Sequence, residues 1–133
     1  MNRIPSLKHF SNSKWEFLAY KNEKLIFKSR GRSIKPLLKY LNSKSTNKIG
    51  AVIFDKIVGR ASALLISLSR PKAINTPILS ESGIKVLKSH HISYNYKKRV
   101  EFIMGYTSQE LCRWEKLAKG QTAEGFLKLV KKP

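Results

Sequence analysis

The chain has 133 residues and carries 27 Lys and Arg against eight Asp and Glu, a formal net charge of +19. This length suits one domain with a sizeable core, and the 41% hydrophobic content argues against a disordered chain. A single cysteine excludes an internal disulfide framework. No apolar run reaches the ~18 residues that span a bilayer, and the first ten residues lack the apolar centre of a signal peptide. We therefore expect a cytoplasmic domain without a membrane partner.

The excess of positive charge has two interpretations. It predicts a contact surface for nucleic acid, RNA in particular, or for another polyphosphate. It also fits a compositional bias, because the chain is rich in Lys, Asn and Ile throughout. The basic residues are densest in residues 1–48, which hold twelve of them and two acids, Glu16 and Glu23.

The first third of the chain predicts a lead-in and a hairpin. Residues 1–14 have no clear period and are expected to be a flexible lead-in to a single domain over residues 15–133. Two strands, Trp15–Tyr20 and Leu25–Ser29, flank a polar turn and form the hairpin.

A basic link and a helix follow the hairpin. The link is Arg30-Gly31-Arg32. Ser33 is the predicted N-cap of the helix, which carries Pro36 in its first turn.

The stretch from Gly50 to Ile66 organises the predicted fold. Gly50–Phe54 is a short apolar run that predicts a strand buried on both faces. The chain then turns at Asp55 and continues as a helix to about Leu68, with small side chains near its start. Because open α/β sheets hold ligands at the carboxyl ends of their strands, Asp55, Lys56 and Arg60 become candidate site residues.

The second half of the chain alternates strands and helices. The predicted strands are Ala73–Leu79, in which Pro77 indicates an edge or a bulge, and Ile92–Tyr96. The predicted helices are one capped by Ser80, one over Leu111–Ala118 after a capping box at Thr107–Glu110, and one from Thr122 to Lys131. The whole pattern predicts an α/β fold, a three-layer α/β/α domain with a five-stranded mixed sheet.

Several ordered segments also carry a family resemblance. They are Leu25–Arg32 with Lys35–Leu38, Gly50-Ala51 with Asp55–Ala61, Leu79–Glu81, and Cys112 with Glu115-Lys116. In this order and spacing, over about residues 15–130, the sequence resembles an uncharacterised prokaryotic domain-of-unknown-function family with a cytidine deaminase-like fold. The resemblance implies that fold, and it implies self-association as an option, since deaminase-like domains often form homo-oligomers.

The resemblance also places the positions of a deaminase zinc site. Zinc deaminases use an H-x-E or C-x-E motif, a P-C-x-x-C turn and a Glu that moves protons. Here Val58 falls near the first ligand, Arg60 near the catalytic Glu, and Cys112 with Glu115 at the C-x-x-C spacing. One Cys and three dispersed His do not make a zinc site, so we expect a zinc-less member with no cofactor.

Three residues remain as candidates for metal-free catalysis. Cys112 is a potential nucleophile, or a buried cysteine that acts as a small hydrophobe. Asp55 is a potential acid or base, or the N-cap of the central helix. Glu115 is a third candidate, or a structural partner of a nearby cation such as Arg60.

Anion binding has candidates at two places. Lys56 and Arg60 can hold a phosphate at the amino end of the central helix, or they are solvated surface charges. Arg30 and Arg32 can clamp phosphate oxygens, or they belong to an ordinary loop. Ser80 and Glu81 are expected to line the same site as Asp55.

Two functions follow. The first is a zinc-less deaminase-like domain that binds a nucleotide-like or phosphorylated ligand near Asp55, with metal-free catalysis left open. The second is a basic RNA- or ribonucleoprotein-binding module that uses the fold as a scaffold, with Arg30, Arg32, Lys35 and Lys39 in contact.

Overall fold

The computed structural model describes residues 4–43, 47–105 and 111–131. Its helices are α1 (Leu7–Ser11), α2 (Lys35–Asn42), α3 (Arg60–Ser67), α4 (Glu81–Ser89), α5 (Arg113–Ala118) and α6 (Ala123–Lys131). Its strands are β1 (Phe17–Lys21), β2 (Lys24–Ser29), β3 (Val52–Asp55), β4 (Ile57–Val58), β5 (Ala73–Ser80) and β6 (Ser93–Val100). None of the helices within these ranges is long and apolar enough to cross a membrane.

The six strands form one mixed sheet, and the fold is mixed α/β. β1 pairs antiparallel with β2 and β3, β5 runs parallel to β3, β4 and β6, and the strands from edge to edge are β2, β1, β3, β5 and β6. The expected five strands are one too few, because the chain resumes pairing with β5 after a break at Lys56. The resulting β4 has two residues, too short to leave a pattern in the sequence.

Pro77 lies at this break. β5 pairs with β3 through Ala73–Asn75 and with β4 through Ile78 and Leu79, so Pro77 stands between the two paired stretches. The predicted irregularity is therefore present, although β5 is an interior strand and not an edge. A proline fits there because it has no N–H group to leave unpaired.

The two faces of the sheet pack against unequal partners. Phe17 and Ala19 join a large core with α2, α3, α4, α5 and α6, whereas the alternate residues Leu18 and Tyr20 join a small cluster around Phe10 of α1. Phe10 is fully buried and its ring packs 5.3 Å from that of Phe54. Part of the expected lead-in thus packs against the sheet.

Helix α3 lies at the centre of the larger core. All of its residues from Ala61 to Ser67 are buried, and it contacts α2, α4, α5 and α6. Small residues near its start, Gly59 at the N-cap and then Ala61 to Ala63, allow the backbone of α4 to approach. A Cβ on Gly83 of α4 would lie 3.2 Å from the Gly59 carbonyl.

Three helix starts differ from the prediction. The N-cap of α2 is Ile34, because Ser33 adopts a left-handed backbone (φ 67°) and its side chain makes no capping bond. The N-cap of α3 is Gly59, because Asp55 is still in β3 and β4 intervenes. α5 begins at Arg113 with Cys112 as its N-cap, two residues after the predicted start at Leu111, because Leu111 pairs with Met104 in an isolated bridge. The predicted capping box at residues 107–110 lies outside the described residues.

Candidate functional site

The carboxyl ends of the parallel strands gather most of the predicted site residues. β3 ends at Asp55 and β5 at Ser80, and Phe17 at the start of β1 pairs with both Asp55 and Ser29. Asp55 therefore lies beside the beginning of the Arg30 link. Ser80 lies farther along the sheet, because Asp55 is level with Thr76 of β5, about 13 Å before Ser80. The topology thus places these segments, far apart in sequence, on the carboxyl-terminal side of the sheet, with Ser80 well beyond Asp55.

Asp55 is a buried carboxyl group at this end. It is 8% exposed, and burial raises its pKa from 3.8 to about 8. The negative charge of Glu16 raises the pKa further, while hydrogen bonds from the Ile57 and Lys56 backbone amides oppose the shift. Asp55 is thus a group that holds a proton at neutral pH, which is a property of many general acids.

Glu115 caps the amino end of α3. Its Oε1 accepts from the Arg60 backbone N–H at 2.9 Å, and its Oε2 accepts from the Ala61 N–H at 2.7 Å. Gly59 makes room for this carboxylate, since a Cβ there would lie 2.3 Å from Oε1. The chain's own carboxylate therefore occupies the place where the helix dipole would attract a ligand anion.

Lys56 and Arg60 direct their side chains away from that helix end. Arg60 Nε donates to the Ala118 carbonyl at 2.8 Å and its Nη2 to the Gln121 carbonyl at 2.9 Å. Lys56 Nζ donates to the Ser13 carbonyl at 2.6 Å and lies 3.9 Å from the Glu16 carboxylate. Both cations thus tie distant segments to the core.

Ser80, Glu81 and Cys112 also have structural partners. The Ser80 hydroxyl accepts from the Gly83 N–H at 3.0 Å, which confirms the predicted cap of α4. Glu81 accepts two hydrogen bonds from Arg99, at 2.7 and 2.5 Å, and these lower its pKa. Cys112 is a free, half-buried thiol whose backbone N–H donates to the Ile103 carbonyl at 3.0 Å.

Arg30 belongs to a cluster that the sequence did not reveal. The cations of Arg30, Lys28 and Lys14 lie 5.0, 5.1 and 5.7 Å from the ring centroid of Trp15. We call these four residues the Trp15 cluster. Arg32, two residues further on, is exposed. The sequence shows that cations are frequent around the first hairpin. It does not show that three of them share Trp15 as a partner, because that depends on how the strands pair.

Two hollows, each of about 480 Å³, lie elsewhere, beside the carboxyl ends of α3 and α4. They share His90, Ala123 and Glu124, and neither includes a predicted site residue other than Arg60. Within the described residues, no group of three His, Cys, Asp or Glu is arranged to hold a metal ion.

Comparisons with known proteins agree with this fold. The family model described as TM1506, domain of unknown function DUF1893, matches residues 6–131. The crystal structure of a DUF1893 family protein (TM1506) from Thermotoga maritima superposes with a TM-score of 0.82 at 24% identity, over 98% of this chain and 92% of that one. No curated protein matches the sequence.

Replacing Glu115 tests its role as the cap of α3. Glu115→Ala should lower the free energy of unfolding by about 2–4 kcal/mol, because it leaves two buried amide donors without an acceptor. Glu115→Gln should cost less, since one side-chain oxygen still accepts. The measurement is urea denaturation, with the exposed Glu124→Ala as the matched acid-to-alanine control. Equal stability of Glu115→Ala and wild type would contradict the capping role.

Asp55 predicts a specific pH dependence of stability. Its folded pKa lies above its unfolded pKa, so the folded state holds the proton more tightly and loses stability as the pH rises from about 4 to about 8. Asp55→Asn removes this loss, so its free energy of unfolding relative to wild type should rise by roughly 1 kcal/mol per pH unit between pH 5 and 7. Glu23→Gln, an exposed turn residue, should show no such trend. Parallel curves for Asp55→Asn and wild type would refute the shift.

Proposed function

Because the chain belongs to the DUF1893 (TM1506) family of domains of unknown function, we propose a function from its own geometry: it binds RNA through exposed cations on a zinc-less, cytidine deaminase-like scaffold. In this proposal the helices on the two sheet faces make the three-layer α/β/α arrangement of that fold.

Two positions support a scaffold without zinc chemistry. Val58, near the expected first ligand, is fully buried in the core. Arg60, near the expected catalytic Glu, binds the carbonyls of Ala118 and Gln121. Neither side chain is a zinc ligand, and both contribute to packing.

The observation that carries the RNA proposal is the Trp15 cluster. Its three cations lie around one indole ring, and neither of the two ion pairs between described residues involves them. Like charges held together repel each other, and this repulsion is relieved when an anion binds. Cations beside an aromatic ring are also the combination that binds single-stranded nucleic acid.

The internal contacts of the other candidates favour this proposal over an anion pocket. Arg60, Lys56 and Glu115 are engaged with the protein itself, whereas Lys28 and Arg30 are exposed. A phosphate at the start of α3 would have to displace a buried carboxylate that accepts two hydrogen bonds. No carboxylate of the two ion pairs between described residues has to be displaced from the Trp15 cluster.

A second candidate keeps the ligand site at Asp55. A nucleotide-like or phosphorylated molecule would bind at the carboxyl end of β3, with Ser80, Glu81 and Cys112 nearby, and Asp55 would serve any metal-free catalysis as an acid. The observation in its favour is that Asp55 is a buried carboxyl with a pKa of about 8 at the sheet end where such ligands bind.

Neutralising the Trp15 cluster tests the RNA proposal. For Lys28→Ala/Arg30→Ala, we expect weaker binding of a labelled uridine oligonucleotide and a salt dependence (log K against log salt) shallower by about 1.4, because each lost phosphate contact removes about 0.7. The measurement is fluorescence anisotropy across a salt series.

The matched control is Lys128→Ala/Lys131→Ala, which removes the same two charges from the last turn of α6. It should leave the salt dependence close to that of wild type. An equal loss in both double variants would mean that net charge alone attracts RNA, and it would reject the cluster as the contact site.

Native mass spectrometry tests the second candidate. Protein purified at low salt should retain a small molecule, and Asp55→Asn should lose it while remaining folded by circular dichroism. Glu23→Gln should retain it. Wild-type protein that carries no small molecule, or an Asp55→Asn variant that still binds it, would reject the Asp55 site.

A further inference from the structure

Strand β6 is a long and exposed edge of the sheet. It pairs with β5 on one side, and six of its eight residues are exposed, Ser93, Asn95, Tyr96, Lys97, Lys98 and Arg99. Lys97 and Lys98 lie on opposite faces of the strand, because side chains alternate, so positive charge borders the edge from both sides.

An aromatic pair accompanies these lysines. The rings of Tyr94 and Tyr96 are stacked, with centroids 6.4 Å apart and planes at 19°, and Tyr96 is 40% exposed. Arg99 binds Glu81 and also interacts with Tyr96, so its charge is already balanced. We call Tyr94, Tyr96, Lys97 and Lys98 the β6 flank.

Lysines on an edge strand have an ordinary explanation. They keep the unpaired backbone from joining the sheet of another molecule. That explanation accounts for Lys97 and Lys98, but it does not require the exposed ring of Tyr96, which stacks on the half-buried Tyr94 beside them. Cations close to an exposed aromatic ring are the combination that holds the backbone and the bases of a single strand.

The β6 flank lies at the same end of the sheet as the Trp15 cluster. β6 runs parallel to β3 and β5, so Lys97 and Lys98 are in its carboxyl-terminal half, near the level at which β3 stops beside the Trp15 cluster. Trp15 packs on the sheet face that carries α1, whereas Tyr94 packs against the large core on the other face, so a strand that joins the two passes over the end of the sheet. Four strand spacings, about 19 Å, separate β2 from β6, and the passage from one face of the sheet to the other adds to this distance. A stacked strand covers that distance in about six nucleotides, at about 3.4 Å each.

We propose that the β6 flank is a second contact for the same RNA, so that one strand reaches from the Trp15 cluster to Tyr96 along the carboxyl end of the sheet. This inference rests on the proposed RNA-binding function. It adds a footprint of more than about six nucleotides and assigns base stacking to Tyr96.

Oligonucleotide length separates the two contacts. Labelled uridine oligonucleotides of about 4 and about 12 nucleotides are compared, since only the longer one spans the distance. Lys97→Ala/Lys98→Ala should weaken binding of the longer oligonucleotide about tenfold and reduce its salt slope by about 1.4, with binding of the shorter one unchanged. Lys128→Ala/Lys131→Ala, with the same charge change, should alter neither.

Tyr96 variants test stacking apart from charge. Tyr96→Leu should weaken binding of the longer oligonucleotide at least fivefold, whereas Tyr96→Phe, which keeps the ring, should bind like wild type. Equal effects of Leu and Phe would overturn the assigned stacking.

The outcomes also separate this inference from the function it rests on. If neither oligonucleotide binds the wild-type protein, both the RNA-binding function and the second contact are rejected. If both bind and the β6 variants bind as the control does, only the second contact is overturned. Variants that dimerise on gel filtration but bind RNA normally would likewise overturn it, because the lysines would then only protect the edge.

Discussion

The carboxylate of Glu115 at the start of α3 is the contact on which the rest of the structure depends. It accepts from two backbone amides, while the guanidinium of Arg60 donates to the carbonyls of Ala118 and Gln121. Four hydrogen bonds thus join the first turn of the central helix to a segment more than 50 residues away. Gly59 is required for the close approach, since a Cβ there would overlap the carboxylate. These bonds fill the hydrogen-bonding positions at the start of α3 with groups of the protein itself.

The partners of the acidic residues also decide how the net charge is distributed over the surface. Four of the eight acids already have partners within the protein: Glu115 caps α3, Asp55 is buried, Glu16 pairs with Lys56, and Glu81 pairs with Arg99 at the surface. The buried carboxyl groups of Asp55 and Glu115 therefore neutralise little of the outer surface, where Lys and Arg are in large excess over the remaining acids. A surface of this kind attracts polyanions in a salt-dependent manner.

The sequence predicted those features that depend on neighbouring residues. The first hairpin, the strand before Asp55, the central helix and the Ser80 cap follow from local patterns, although that helix begins at Arg60 and not directly after Asp55. Strand β4 was missed because two residues carry no period and become a strand only by pairing with Ile78 and Leu79. The Glu115 cap and the Trp15 cluster were missed for a related reason, since each joins residues that only the tertiary fold brings together.

The difference between local and tertiary contacts also applies to the site. The topology places several predicted site residues on one side of the sheet, but most of their predicted roles remain proposals. Parallel strands run toward the same end of a sheet, so the topology places Asp55 and Ser80 on its carboxyl-terminal side, although the register sets Ser80 about four residues beyond Asp55. Whether a cation there faces a ligand or the protein depends on which carbonyls and carboxylates lie within its reach, and Arg60 and Lys56 both find partners in the chain. Arg30 lies over the Trp15 ring. Because an aromatic ring carries no negative charge, the charge of Arg30 is not neutralised there. In the proposed function, binding therefore belongs to the rim of the sheet end, where cations remain exposed, and not to its interior, where the fold has already satisfied them.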